Sequence, residues 1–105
     1  KKKKKKNQLS GTICLISLPP ALKDLVLDNN NFQGSLDFTR LPKSMRYIYL
    51  SENRFSGTID LRNLPESMTF LNVRNNALSG TVRVPRGFLS YFEENDELTV
   101  ERIEE

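Results

Sequence analysis

Residues 45–67 read MRYIYLSENRFSGTIDLRNLPES, and this stretch decides the fold because the chain repeats its pattern on both sides. Shifting the sequence by 23 residues superimposes Asn7, Asn30, Asn53 and Asn76, and four positions after each comes Gly11, Gly34, Gly57 and Gly80. The apolar columns keep the same spacing: Leu9, Phe32, Phe55 and Leu78; Ile13, Leu36, Ile59 and Val82; Leu15, Phe38, Leu61 and Val84. Leu18, Leu41 and Leu64 form another column, each followed by proline at 19, 42 and 65. Ahead of the asparagine, Leu22, Leu25 and Leu27 match Met45, Ile48 and Leu50, then Met68, Leu71 and Val73.

Each column has a physical reason. In Leu25-Val26-Leu27 apolar and variable residues alternate with period two, which specifies a short strand with one face turned inward. Strands of successive units then stack as a parallel sheet, with strands expected near 24–28, 47–51 and 70–74. The asparagine takes the chain out of the strand, and its side-chain amide supplies partners to the backbone of the bend and of the next unit. The glycine suits a tight bend that disfavours a β-carbon. Leu-Pro closes the return arm, since proline cannot donate into a further ladder. Between Gly34 and Pro42 the apolar residues Leu36, Phe38 and Leu41 are spaced by two and then three, which fits an irregular or extended arm better than a helix.

As a consensus the unit is L-x-x-L-x-L-x-x-N-x-[LF]-x-G-[ST]-[IVL]-x-[LF]-x-x-L-P-x-[SA]. Its first eleven positions resemble the hallmark of the leucine-rich-repeat family, whose period of roughly 20 to 29 residues includes this one. Leu78-Ser79-Gly80-Thr81-Val82 and Phe55-Ser56-Gly57-Thr58-Ile59 are similar to the LSGxI turn of plant-type and protist repeats. The expected architecture is therefore a leucine-rich-repeat solenoid: β-rich, with a short parallel sheet on the concave face, irregular or extended convex arms and little helix. The expected organisation is a lysine-rich disordered tail at 1–6 and a solenoid at 7–88, with a partial repeat at 7–21 and repeats at 22–44, 45–67 and 68–90. A degenerate repeat or C-terminal cap with an acidic tail fills 89–105.

The two ends depart from the pattern. Where the first unit should carry its strand, residues 1–6 are all lysine. They read as a solvated tail or, alternatively, as a salt-dependent attraction for nucleic acid or anionic membrane. Without interleaved aromatics, specific base recognition is not expected. At the other end Tyr91 continues the 23-residue phase, but Glu94 and Asp96 then occupy the inward strand sites. The turn-prone Glu94-Asn95-Asp96 between Phe88, Leu89, Tyr91, Phe92 and Leu98, Val100, Ile103 suggests a hairpin-like or degenerate cap, with a short terminal helix as the alternative.

The charge is polarised. A net +3 combines the six leading lysines with an acidic final stretch of Glu93, Glu94, Asp96, Glu97, Glu101, Glu104 and Glu105 against Arg102 alone. Cys14 is the only cysteine, so no intrachain disulfide forms, and none of the asparagines heads an N-glycosylation sequon. Both features lean towards a cytoplasmic home, with an extracellular or surface location the alternative if a leader lies upstream. No apolar run approaches the ~18 residues a membrane helix requires.

Catalysis finds no support in the residues, and the chain is read as no enzyme. It has no histidine, which removes Ser-His and Cys-His pairs, and one cysteine without histidine does not make the usual zinc sets. No cofactor and no metal are expected. Glu93-Glu94 and Glu104-Glu105 read as solvated surface, and Asp37 and Asp60 as convex positions of the repeat. Cys14 falls in an outward column.

Family resemblance implies that ligands dock on the concave face, at the variable strand positions. These are Asp24, Tyr47 and Phe70; Val26, Tyr49 and Asn72; Asp28, Ser51 and Arg74; and Asn29, Glu52 and Asn75. Tyr47, Tyr49 and Phe70 are the best interface candidates, since exposed aromatics are enriched in binding hot spots. The competing reading is that they stack across strands and stabilise the sheet. The expected function is a protein-protein interaction module for a protein or peptide partner, as a monomer or as part of a longer chain. The alternative is a fragment of a larger receptor or enzyme in which the repeats only recognise the ligand.

Overall fold

The computed structural model describes residues 10–102. The hexalysine stretch, Asn7, Leu9, Ile103, Glu104 and Glu105 lie outside the described residues.

The chain winds as a β-solenoid in which every strand pair is parallel. The strands are β1 Ser10–Gly11, β2 Asp24–Val26, β3 Asn31–Gly34, β4 Tyr47–Tyr49, β5 Arg54–Gly57, β6 Phe70–Asn72, β7 Ala77–Val84, β8 Leu89–Tyr91 and β9 Glu97–Arg102. The only helical segment among the described residues is a single 3-10 turn at Leu15–Ser17. Even-numbered strands form a four-stranded sheet, β2-β4-β6-β8, in the register the alternating pattern requires: Leu25 opposite Ile48, Ile48 opposite Leu71. The ladder runs past the strand ends through Leu27 N–H to Tyr49 O at 2.9 Å and Leu50 N–H to Asn72 O at 2.8 Å. Ile48, Leu50, Leu71 and Val73 are 0 % exposed, so the inward columns form the core.

A second sheet was not foreseen. The segments after each asparagine, expected to form a bend leading into an irregular or extended arm, pair as β1-β3-β5-β7-β9. Its early members overlap by only two residues, whereas β7 and β9 pair over six, from Ser79–Glu97 to Val84–Arg102. Phe32 and Phe55 stack beneath this sheet with ring centroids 6.3 Å apart. Beyond it, Leu36, Phe38, Leu41, Ile59 and Leu61 close the core from the return arm.

Two side-chain spines hold the turns together. Asn53 Nδ2 lies within hydrogen-bonding reach of Leu50 O and Ser51 O in its own bend and of Leu27 O one turn back, while its Oδ1 accepts from Phe32 N–H at 3.1 Å. Asn76 repeats this with Leu50, Val73, Arg74 and Phe55. The bonds thus run to the preceding turn, not to the next one as expected. The second spine has no counterpart in the sequence reading. The serine that ends the consensus unit donates backwards: Ser44 Oγ lies 2.7 Å from Leu22 O, and Ser67 Oγ lies 2.6 Å from Met45 O.

Among the described residues the C-terminal segment forms no hairpin and has the form of a degenerate repeat. β8 pairs in parallel with β6, and β9 with β7. Leu71 stands opposite Ser90, an offset of 19 residues, so the last turn is an ordinary one shortened by four. Asn95 takes the spine position: its Nδ2 donates to Val73 O at 3.0 Å and its Oδ1 accepts from Leu78 N–H at 3.0 Å. The inward sites are filled by buried Ser90 and Phe92, while Glu94 and Asp96 are exposed.

Two backbone positions are constrained by these bends. Gly34 and Gly80 have φ of +95° and +77°, and a β-carbon there would come within 2.9 Å of Thr12 Cγ2 and 2.6 Å of Thr58 Cγ2 in the turn before. The residue before each spine asparagine is also left-handed: Asn29, Glu52, Asn75 and Glu94 have φ between 57° and 65°. Asparagine tolerates this conformation better than glutamate. Glu52→Asn is therefore expected to raise stability by roughly 0.5 to 1 kcal/mol. A higher urea midpoint with an unchanged slope would show it; no shift would mean that the bend imposes no strain on Glu52.

Candidate functional site

The four-stranded sheet presents its variable columns outward in ordered rows. Asp24, Tyr47, Phe70 and Leu89 form one row, and Val26, Tyr49, Asn72 and Tyr91 the next. Asp28, Ser51, Arg74 and Glu93 continue the face, linked at its edge by Asn29 N–H to Ser51 O, Glu52 N–H to Arg74 O and Asn75 N–H to Glu93 O, each at 2.9 Å. The structure therefore brings all nine candidate residues onto one face: Asp24, Val26, Asp28, Tyr47, Tyr49, Ser51, Phe70, Asn72 and Arg74.

Four aromatic rings run diagonally across this face. Tyr47 and Tyr49 lie 6.5 Å apart, Tyr49 and Phe70 4.9 Å, and Phe70 and Tyr91 5.5 Å. These separations lie in the attractive range for tilted and edge-to-face pairs, so the rings do support one another across strands. They nevertheless stay in contact with solvent: Tyr47, Tyr49 and Phe70 are half-buried, and Tyr91 is 38 % exposed. Val26 and Leu89, at 58 % and 53 %, extend the apolar band on either side.

Charged groups frame the band in pairs. Arg46 reaches Asp24 at 3.6 Å and also places its guanidinium 5.1 Å from the Tyr47 ring centroid. At the opposite margin Arg74 reaches Glu93 at 3.4 Å, and its backbone N–H donates to Asn72 Oδ1. Each pair is close to half exposed or more, so its net stabilisation is small. What the pairs leave is an apolar stripe between neutralised rims.

Leu89 and Tyr91 were read as parts of the terminal cap and not as residues of this face, because a fixed 23-residue shift misplaces everything after the shortened turn. The signal that would have found them is Asn95 itself. Aligning the last unit on that asparagine, with Phe92 as its inward residue, puts Leu89 opposite Phe70.

The other acidic candidates serve the bends. Asp37 Oδ1 accepts from Thr39 N–H at 2.9 Å, and Asp60 Oδ1 from Arg62 N–H at 3.0 Å. Hydrogen bonds from the Arg62 guanidinium, then its backbone N–H, lower the Asp60 carboxyl to about 2, and bonds from Thr39 likewise lower that of Asp37. Groups held ionised in this way are local turn anchors. Cys14 is exposed, with Ser17 Oγ 3.4 Å from its sulfur. Among the described residues no three His, Cys, Asp or Glu side chains are grouped to hold a metal ion, and no helix is long and apolar enough to cross a membrane. Comparison with protein-family models, with curated proteins and with solved structures yields no match.

Proposed function

We propose that this chain is a leucine-rich-repeat interaction module, without catalytic activity, that binds a protein or peptide across its four-stranded sheet. The observation carrying this reading is the band of Tyr47, Tyr49, Phe70 and Tyr91, with Val26 and Leu89 at its ends, left open to solvent on a rigid surface. Exposed apolar area of this kind is costly in water, and covering it is favourable. Tyrosine and phenylalanine add contact area at little conformational cost, since each has only two side-chain torsions to fix. The polar groups at the margin, Ser51, Asn72 and Arg74, supply directional contacts that select among partners.

The test uses the immobilised full chain and a displayed library of extended peptides. Selected peptides should lose about 30-fold or more in affinity, equivalent to ~2 kcal/mol, on Tyr49→Ala combined with Phe70→Ala. Arg40→Ala with Ser56→Ala, exposed and outside the four-stranded sheet, should leave binding unchanged, and circular dichroism should match the parent in both variants. Affinity that survives removal of both rings places the binding surface elsewhere.

A further inference from the structure

The two ion pairs that frame the ring band do not exhaust the charge of this face. Segments 24–29, 47–52, 70–75 and 89–94 carry five acidic side chains, Asp24, Asp28, Glu52, Glu93 and Glu94, against one basic, Arg74. Arg46, just ahead of β4, holds Asp24, and Arg74 holds Glu93. Asp28, Glu52 and Glu94 make no ion pair among the described residues. Arg54, two residues beyond Glu52, opens β5 in the other sheet and forms no ion pair with it.

All three carboxylates stand at one edge of the face, where the strands end. The bonds from Asn29 N–H to Ser51 O, Glu52 N–H to Arg74 O and Asn75 N–H to Glu93 O align this edge turn by turn. Adjacent turns of a paired sheet lie about 5 Å apart, so Asp28 and Glu52 are neighbours across one turn. Glu52 and Glu94 are exposed and Asp28 is half-buried. Like charges placed this close repel one another, and a cation laid between them relieves the repulsion. Lys23 sits at the opposite end of the strand from Asp28, about 16 Å away at ~3.3 Å per residue, where salt screens it from that edge.

The rings beside the edge share the preference, because the face of a tyrosine or phenylalanine ring is negative and attracts a cation. Arg46 shows the arrangement within the chain itself: its guanidinium lies 3.6 Å from Asp24 and 5.1 Å from the Tyr47 ring centroid. Neighbouring ring planes are inclined by 57°, 40° and 67°, so they offer no flat platform on which a sugar or a base would stack. Phosphate groups, moreover, would meet the uncompensated carboxylates.

We infer that the partner bound by this sheet is a basic peptide segment, with apolar side chains over the ring band and arginine or lysine side chains against Asp28 and Glu52, an inference that rests on the sheet being the binding surface. Charge complementarity of this kind selects the partner and its direction more than it adds affinity.

Two displayed libraries of extended peptides, presented to the immobilised full chain, test this. They match in apolar content; the charged residues are arginine and lysine in one, aspartate and glutamate in the other. Binders that require Tyr49 and Phe70 should come from the basic library. Asp28→Asn with Glu52→Gln should weaken them about fivefold at low salt, the sum of two partly exposed charge contacts. At roughly 0.5 M salt, where screening acts within a few Å, the loss should shrink to under about twofold. Glu66→Gln with Glu97→Gln, exposed and outside the four-stranded sheet, should change nothing, and circular dichroism should match the parent throughout. Ring-dependent binders that come chiefly from the acidic library overturn the inference and leave the sheet as the binding surface, as do basic binders indifferent to Asp28→Asn with Glu52→Gln. Should that double variant fail to fold, parental affinity that is the same at low and high salt overturns it equally. Basic binders that survive removal of both rings, or no ring-dependent binder from either library, overturn the binding surface and the basic partner together.

Discussion

Asn53→Ala is expected to cost roughly 3 to 5 kcal/mol, enough to threaten a fold whose whole stability is of order 5 to 15 kcal/mol. The residue is 8 % exposed, and removal of its side chain strips partners from backbone groups in two successive turns. Nδ2 lies within reach of Leu27 O, Leu50 O and Ser51 O at 3.0, 3.2 and 3.2 Å, and Oδ1 serves the buried Phe32 N–H. Alanine fills none of these roles. Each abandoned buried group costs about 1 to 3 kcal/mol, and the cost is only partly relieved by local relaxation. Asn30→Ala supplies the internal comparison. Its Nδ2 reaches Leu27 O and Asp28 O within its own bend, and its Oδ1 has no partner among the described residues. It should therefore cost less than half as much. Urea unfolding of the two variants measures both. If Asn53→Ala falls within about 0.5 kcal/mol of the parent, as a surface substitution would, the asparagine spine does not hold the turns together.

Phe55→Ala should be of similar size, about 3 to 5 kcal/mol, for a different reason. The ring is 0 % exposed, stacks on Phe32 at an interplanar angle of 13°, and sits in a middle turn. Its loss removes apolar contact and leaves a cavity that the parallel ladders on either side resist closing. A solenoid is close to one-dimensional, so a defect in the middle uncouples the turns before it from those after it. Leu15→Ala, which deletes a smaller buried side chain in the first described turn, should cost less. Hydrogen exchange distinguishes the cases: Phe55→Ala should lower protection in both β4 and β6, whereas Leu15→Ala should leave β6 and β8 at parental values. Equal and uniform loss of protection in both variants would mean that the chain unfolds as one unit without nearest-neighbour character.

The columns that define the fold were legible because translation writes itself into the sequence. Ile48 and Leu71 must both turn inward, so both are apolar, and their 23-residue spacing survives alignment. Placement of Tyr47, Tyr49 and Phe70 on one outward face follows from the same alternation. The shortened last turn was not legible, since dropping four residues breaks a fixed shift, although Asn95 makes the same bonds as Asn53 and Asn76. Tyr91, the fourth ring of the band, was missed with it.

Periodicity in the residues therefore determined the repeat, the inward columns and the bend asparagines of this protein. Burial favours particular side chains, and those preferences are local enough to read one residue at a time. The tertiary structure alone decided the second sheet, the backward direction of the asparagine and serine spines, and the continuation of the ladder through β9. These rest on hydrogen bonds between backbone groups of neighbouring turns. A backbone amide is nearly the same in Gln33 as in Arg54, so only the stacking of one turn on another reveals which will pair.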